Sequence, residues 1–184
     1  MATLLLDDGT INRDLNEIVQ ELAALSIHIK HYDPGTSLLF PHLLEQQVLI
    51  DSEKQHIIGL HNSVFELIQQ QNGYLWCDLL NLHPGLPNLE NLIATYSRYH
   101  NHNAPEALYI LAGEMIFSFV KPDNGQIHLL LQSQEYIHIS AGVEHWCSPT
   151  ASLHCKAIRY FTTVEGWVPN YTDTQLSDSL YKPH

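Results

Sequence analysis

The run Tyr99 to Gly113, YHNHNAPEALYILAG, restricts the fold of this chain more than any other stretch. In an extended backbone successive side chains alternate between faces, so His100 and His102 project from one side and Asn101 from the other. Asn103-Ala104-Pro105 reads as a turn, because proline fixes φ and asparagine tolerates turn geometry. Glu106 opens a second run of strand formers, Glu106 to Ala112, closed by Gly113. If the two runs pair, Glu106 lies beside both imidazoles. Two imidazoles and a carboxylate converging from a rigid sheet suit a divalent transition metal, above all iron, nickel or manganese. A fourth ligand must come from farther along the chain, and His145, in Ser140 to Trp146, is the candidate.

The rest of the chain predicts what surrounds this run. Leu4 to Leu6 is a short apolar stretch that fits an edge strand. Leu15, Ile18, Val19, Leu22 and Leu25 form an amphipathic helical stripe over Asp14 to Leu25. Ile27 to Tyr32 alternates like a strand and stops at Asp33-Pro34-Gly35, with His28 and His31 as ordinary surface residues. Ser52 to Gln71 reads as one further helix, capped by Ser52 with Gln55 as its reciprocal partner and ended by Gly73. His56 and His61 fall where a solvated helical face is expected. Tyr74 to Leu82 suits a strand, and Pro84 to Asn88 a loop. From Leu92 onward the pattern becomes short strands: Met115 to Val120, a hairpin turn at Lys121 to Gly125, Ile127 to Gln132, Tyr136 to Ser140 and Lys156 to Thr162. Such spacing argues for a mainly β fold, a sandwich or small barrel, with the N-terminal helices packed outside. The expectation is a single domain over 1–184, its helical and mixed N-terminal part spanning 1–75 and a polar tail spanning 173–184.

Composition excludes several partners. The 184 residues hold 8 Lys and Arg against 20 Asp and Glu, a net charge of −12 that repels phosphate backbones, so no nucleic-acid partner is expected. No run approaches the length and apolarity of a membrane span, and the N-terminus lacks the pattern of a signal peptide. Cys77, Cys147 and Cys155 are odd in number and show no C-x-x-C spacing, which fits reduced thiols in a cytoplasmic protein.

His100, His102, Glu106, Gly113 and His145 resemble the two sequence motifs of the cupin superfamily. The first motif there runs H-x-H, three or four residues, E, six residues, G. The second contains P-x-G-x-x-H, matched by Ser140 to His145 except for Ser140 in place of proline. Ala94 and Gln134 replace glycines that commonly open the motifs. A lone H-x-H is commonly a pair of surface histidines; the shared register of all five residues is what argues for metal. The resemblance implies a cupin-type β-barrel (double-stranded β-helix) with two or more N-terminal helices packed outside.

The chain is also similar to one family over most of its length, roughly Ile18 to Thr172: the acireductone dioxygenases of methionine salvage. Gly73-Tyr74 with Trp76 to Leu80, the run Tyr96 to Glu106, and Lys156 to Thr162 followed by Glu165 to Pro169 carry the likeness. It implies iron or nickel held by His100, His102, Glu106 and His145, and cleavage of 1,2-dihydroxy-3-keto-5-methylthiopentene with O2. In that family the iron form yields formate and the keto-acid precursor of methionine, whereas the nickel form releases carbon monoxide. The cofactor expected is therefore one divalent Fe(II) or Ni(II), with manganese also suited to the ligands. The enzyme is expected to act as a monomer or weak homodimer.

Four protein ligands leave two adjacent positions of an octahedral metal for an enediolate. Arg159 is the residue expected to balance substrate charge, on a strand face shared with Phe161; its alternative is a surface ion pair. Trp167 is expected to wall off water, or else only to pack. The family usually carries Asp-Glu-x-Arg at the metal glutamate, whereas Pro105-Glu106-Ala107-Leu108 stands here, so Leu108 faces the pocket where an arginine is usual. Cys147 replaces a common aromatic and reads as a small buried filler. Arg98 and Tyr96, two and four residues before His100, are placed on the same strand face, and Arg98 is expected to restore part of the missing charge. Two other readings stay open: a different dioxygenase or isomerase on the same metal shell, and a cupin that binds a ligand or metal without turnover. A zinc hydrolase is disfavoured, since four ligands fill zinc's tetrahedron.

Overall fold

The computed structural model describes residues 1–32 and 41–175. In chain order its elements are β1 (Thr3–Leu5), β2 (Ile11–Asn12), α1 (Leu15–Ala23), β3 (Ile27–His31), α2 (Pro41–Glu45), α3 (Asp51–Leu60), α4 (Asn62–Asn72), β4 (Trp76–Leu82), α5 (Leu89–Tyr96), β5 (His100–Asn101), β6 (Glu106–Gly113), β7 (Met115–Val120), β8 (Gln126–Leu131), β9 (Glu135–Ile139), β10 (His145–Pro149), β11 (Cys155–Phe161) and β12 (Asn170–Tyr171). The strands make two antiparallel sheets. One has the order β12-β5-β10-β7-β8-β1-β2 and the other β3-β9-β6-β11-β4.

Alternation along each strand decides what lies between the sheets. Leu108 and Ile110 of β6 join Phe117, Phe119 and Leu129 of the opposite sheet in one core. The intervening Ala107, Tyr109 and Leu111 face the other way, into a second core closed by Leu43, Ile57 and Ile68 of α2, α3 and α4. Strand β6 is thus covered on both faces, which is why its sequence is apolar throughout rather than alternating. Burying each such Leu or Ile contributes about 1.5–3 kcal/mol. The mainly β reading with helices outside holds.

Local signals placed most ends well. Asp14 caps α1, its Oδ1 accepting from Asn16 N at 2.8 Å and Glu17 N at 3.2 Å. Gly73 ends α4 in the left-handed region, at φ 70°. In the hairpin between β7 and β8, Lys121 N donates to Gly125 O at 2.8 Å, with Asn124 at φ 66°. The turn expected at Asp33-Pro34-Gly35 and the end of the tail, 176–184, lie outside the described residues.

Five expectations are corrected. Strand β1 is flanked by β8 and β2 and so is not an edge strand. The expected single helix over Ser52 to Gln71 is two helices, broken at His61, where φ −96° and ψ 12° depart from helical values. Its first half starts one residue earlier, with Ile50 N donating to Glu53 Oε2 at 2.9 Å, so Ser52 is not the cap. His61 is buried rather than solvated: its Nδ1 bonds Ile57 O at 2.8 Å, and its ring packs 6.1 Å from that of Tyr109. Finally, Leu89 to Tyr96 is α5, not strand. Leu89 and Ile93, one helical turn apart, are its buried residues, a period too short-lived to stand out in sequence.

One consequence concerns acid stability. His128 of β8 is buried, and desolvation pushes its pKa down from 6.5 to about 4. The unfolded chain takes up a proton below about 6.5 that the folded chain refuses, so this contribution is complete above that pH and is lost as pH falls toward 4. In urea unfolding of the metal-free proteins, His128→Phe is expected to gain on the parent by roughly 2 kcal/mol between pH 7 and pH 4.5. A stability difference that does not change with pH overturns this account.

Candidate metal centre

The two runs that the sequence suggested as a hairpin do not pair. Strand β5 lies between β10 and β12, whereas β6 is taken on both edges by β9 and β11 in the other sheet. Asn103-Ala104-Pro105 therefore carries the chain from one sheet to the other, and Glu106 meets the histidines from the opposite wall. His100 and His145 face each other directly in the ladder of β5 and β10. His102 lies just past β5, where its carbonyl accepts from Gly142 N at 2.9 Å, so the loop before His145 holds the segment carrying His102.

All three imidazoles are oriented in the same way. Nδ1 of His100 donates to the Arg98 carbonyl at 2.6 Å, that of His102 to Val168 O at 2.9 Å, and that of His145 to Val143 O at 2.9 Å. Each bond puts the proton on Nδ1 and leaves the Nε2 lone pair for the centre, the arrangement that backbone carbonyls give to metal-bound histidines. The ligating atoms of His100, His102, Glu106 and His145 all lie within 4.8 Å of one another. Their residues are 0–3% exposed.

Electrostatics argue for a cation at this point. Glu106 Oε2 lies 3.0 Å from His102 Nε2 and 3.2 Å from His145 Nε2, while His100 Nε2 is buried without a hydrogen-bond partner. Three lone pairs and a carboxylate facing one another in a desolvated space repel unless a positive charge sits among them. Protonation answers only in part. Burial and the neighbouring His145 push His100 down to about 4. Burial also opposes charge on Glu106 and on His102, but their mutual contact prevails, holding the carboxyl low and raising the imidazole. Three imidazole nitrogens and one carboxylate oxygen fit a first-row divalent ion.

A pocket of about 450 Å³, its mouth included, opens beside Glu106. Tyr96, Leu108, Cys147, Arg159 and Trp167, all expected there, line it. Phe161 stands one layer back, its ring 4.6 Å from Trp167 and 4.0 Å from Trp76. Burial keeps the Cys147 thiol well above its ordinary pKa, so it acts as a small apolar filler. Arg98 is the expectation that fails. Because α5 runs to Tyr96 and β5 begins only at His100, Arg98 lies in the connection, exposed, with its guanidinium 4.4 Å from the Tyr171 ring centre. Tyr96 reaches the pocket from the end of a helix instead of from a strand, its ring 5.8 Å from that of His100.

Sequence reasoning missed Asp78 and the apolar lining Leu80, Leu82, Leu92, Ile93 and Met115. Asp78, Leu80 and Leu82 alternate along β4, and that period of two was the available signal. The Val168 carbonyl left no trace in side-chain pattern at all.

The sequence model of the ARD/ARD' family matches residues 25–169. Acireductone dioxygenases of Nostoc sp. and Trichormus variabilis are each 72% identical over 182 residues, 99% of this chain and 100% of the relative. That of Trichodesmium erythraeum is 43% identical over 176 residues, covering 96% of this chain and 97% of its own. Among solved structures, an acireductone dioxygenase from Bacillus anthracis with a cadmium ion in its active centre matches with TM-score 0.86 and 25% identity, over 93% of this chain and 98% of that one.

Proposed function

The chain belongs to the ARD/ARD' family, and from this premise we propose that it is a metal-dependent dioxygenase that cleaves an acireductone, 1,2-dihydroxy-3-keto-5-methylthiopentene, with O2. The observation that carries the reading is the convergence of three carbonyl-oriented imidazoles on Glu106 beside a pocket with one arginine. His100, His102, Glu106 and His145 are the residues proposed to hold one divalent ion, Fe(II) or Ni(II). When bound, that ion supplies Lewis acidity and a template for the enediolate.

The chain's own residues do the rest. Arg159 places a guanidinium where enediolate charge collects. Trp167, backed by Phe161, closes the pocket against water, which strengthens that interaction. Leu80, Leu82, Leu92 and Met115 offer an apolar surface to the methylthioalkyl tail. A place in methionine salvage follows from this substrate. All three cysteines are free thiols, which supports a reducing, cytoplasmic setting.

The test is separate reconstitution with iron and with nickel, followed by O2 uptake and product analysis on the synthetic acireductone. Turnover by both forms is expected, with carbon monoxide from the nickel form only. Oxygen uptake no faster than the uncatalysed reaction in both forms overturns the assignment. Because Leu108 leaves the pocket one cation short of the family pattern, a second enediol belongs in the same assay as the competing substrate.

A further inference from the structure

Asp78, Arg159 and Leu108 lie in one row across three strands, β4, β11 and β6, and Ile137 and Ile29 continue that row across β9 and β3. Arg159 thus has a carboxylate on one side and aliphatic side chains on the other. Its Nε donates to Asp78 Oδ1 at 2.7 Å and its Nη2 to Asp78 Oδ2 at 2.5 Å. These are its hydrogen bonds among the described residues, so Nη1 is left with two N–H groups and no partner. The guanidinium also stands 5.4 Å from the Phe161 ring centre and 5.7 Å from that of Trp167, so aromatic rings limit its swing. Of the residues that line the pocket, Arg159 is the one carrying a permanent positive charge.

We propose that Asp78 is a positioning residue: by engaging Nε and Nη2 of Arg159 it turns Nη1 into the pocket, as the donor that meets the anionic oxygens of the substrate. The inference rests on the acireductone reading. The fork geometry of a guanidinium makes the orientation specific, because a bidentate carboxylate fixes the plane of the group as well as its place. Leu108 makes the arrangement matter more in this chain. A second arginine there would share the charge and the contact; an isobutyl side chain offers neither, so recognition of the anion depends on one guanidinium held from one side.

The experiment compares the parent, Asp78→Ala, Asp78→Asn, Arg159→Ala and the double Asp78→Ala/Arg159→Ala protein, each loaded with nickel and checked for equal metal content. Two quantities are read: the dissociation constant for acireductone by anaerobic titration, and kcat/KM after O2 is admitted. Asp78→Ala is expected to weaken binding and lower kcat/KM by roughly 10- to 100-fold, the scale on which misplacement of a substrate-positioning group is felt. Asp78→Asn, which keeps one acceptor, is expected to fall between it and the parent. In the Arg159→Ala background the Asp78→Ala change is expected to have under about two-fold effect, because the group it positions is gone. Equal losses in both backgrounds mean that Asp78 only supports β4, and overturn the proposal, as does an unaltered dissociation constant in Asp78→Ala. A parent that binds acireductone but does not consume O2 refutes the dioxygenase reading while the dissociation constants still decide the role of Asp78. A parent that neither binds nor reacts refutes both.

Discussion

Glu106→Ala is expected to remove the metal while leaving the fold. In the folded protein the carboxylate is 2% exposed and makes its close contacts with the imidazoles of His102 and His145. Deleting it takes away one donor and the only negative charge among the four converging groups, so affinity for Fe(II) or Ni(II) should fall by at least roughly a hundred-fold, about 3 kcal/mol. The apo-protein loses much less. His102 no longer faces the carboxylate that raised its pKa, and all three imidazoles remain bonded to backbone carbonyls. Metal content after dialysis against a weak chelator, set beside urea midpoints of the metal-free forms, separates the two effects. Retention of one metal ion per chain by the variant would falsify the assignment of Glu106 as a ligand. Glu106→Gln, which preserves shape and removes charge, should lie between variant and parent.

Gly113→Ala is expected to cost more stability than any surface change, at least about 3 kcal/mol, a large share of the ~5–15 kcal/mol that a domain possesses. Gly113 closes β6 at φ +78°, and a Cβ there would stand 2.1 Å from the His154 carbonyl oxygen and 3.1 Å from the Cys155 Cα. Both atoms are backbone of the paired strand region, so relief requires β11 and β6 to separate. The left-handed conformation alone costs a non-glycine residue roughly 1–2 kcal/mol. Gly142 supplies the control: its φ is +82°, and an added Cβ meets nothing within 4 Å. Gly142→Ala should therefore show the conformational cost alone. Equal midpoints for the two variants in urea unfolding would mean that the close approach of strands at Gly113 contributes nothing.

Both experiments bear on how the site was legible. The residues proposed to bind metal could be read because cupin-like spacing is a local pattern: His100 and His102 two apart, Glu106 four further on, Gly113 ending the strand. The caps and turns were legible for the same reason, since Asp14, Gly73 and Lys121 to Gly125 act within a few residues of themselves. Family likeness, carried by Gly73-Tyr74 with Trp76 to Leu80, by Tyr96 to Glu106, and by Lys156 to Thr162 with Glu165 to Pro169, extended the reading to chemistry.

Pairing and depth were not legible, because they depend on segments far apart in the chain. The alternation of His100, Asn101 and His102 suggested a hairpin partner in the next run, yet β9 and β11 claim both edges of β6, so the same residues converge by crossing between sheets. A helix, α5, where a strand was expected removed Arg98 from the pocket and delivered Tyr96 by another route. Nothing local distinguished His61 from His56, since the ring that packs against buried His61 is that of Tyr109, almost fifty positions later. The sequence by itself determined the donor set, the mainly β class and those ends marked by Asp14, Gly73 and Lys121 to Gly125, through short-range stereochemistry and side-chain periodicity. Only the tertiary structure decided which wall each donor comes from, that Arg159 is fastened to Asp78 opposite Leu108, and that the Val168 carbonyl aims His102, because strand register and long-range packing bring together groups far apart in the chain.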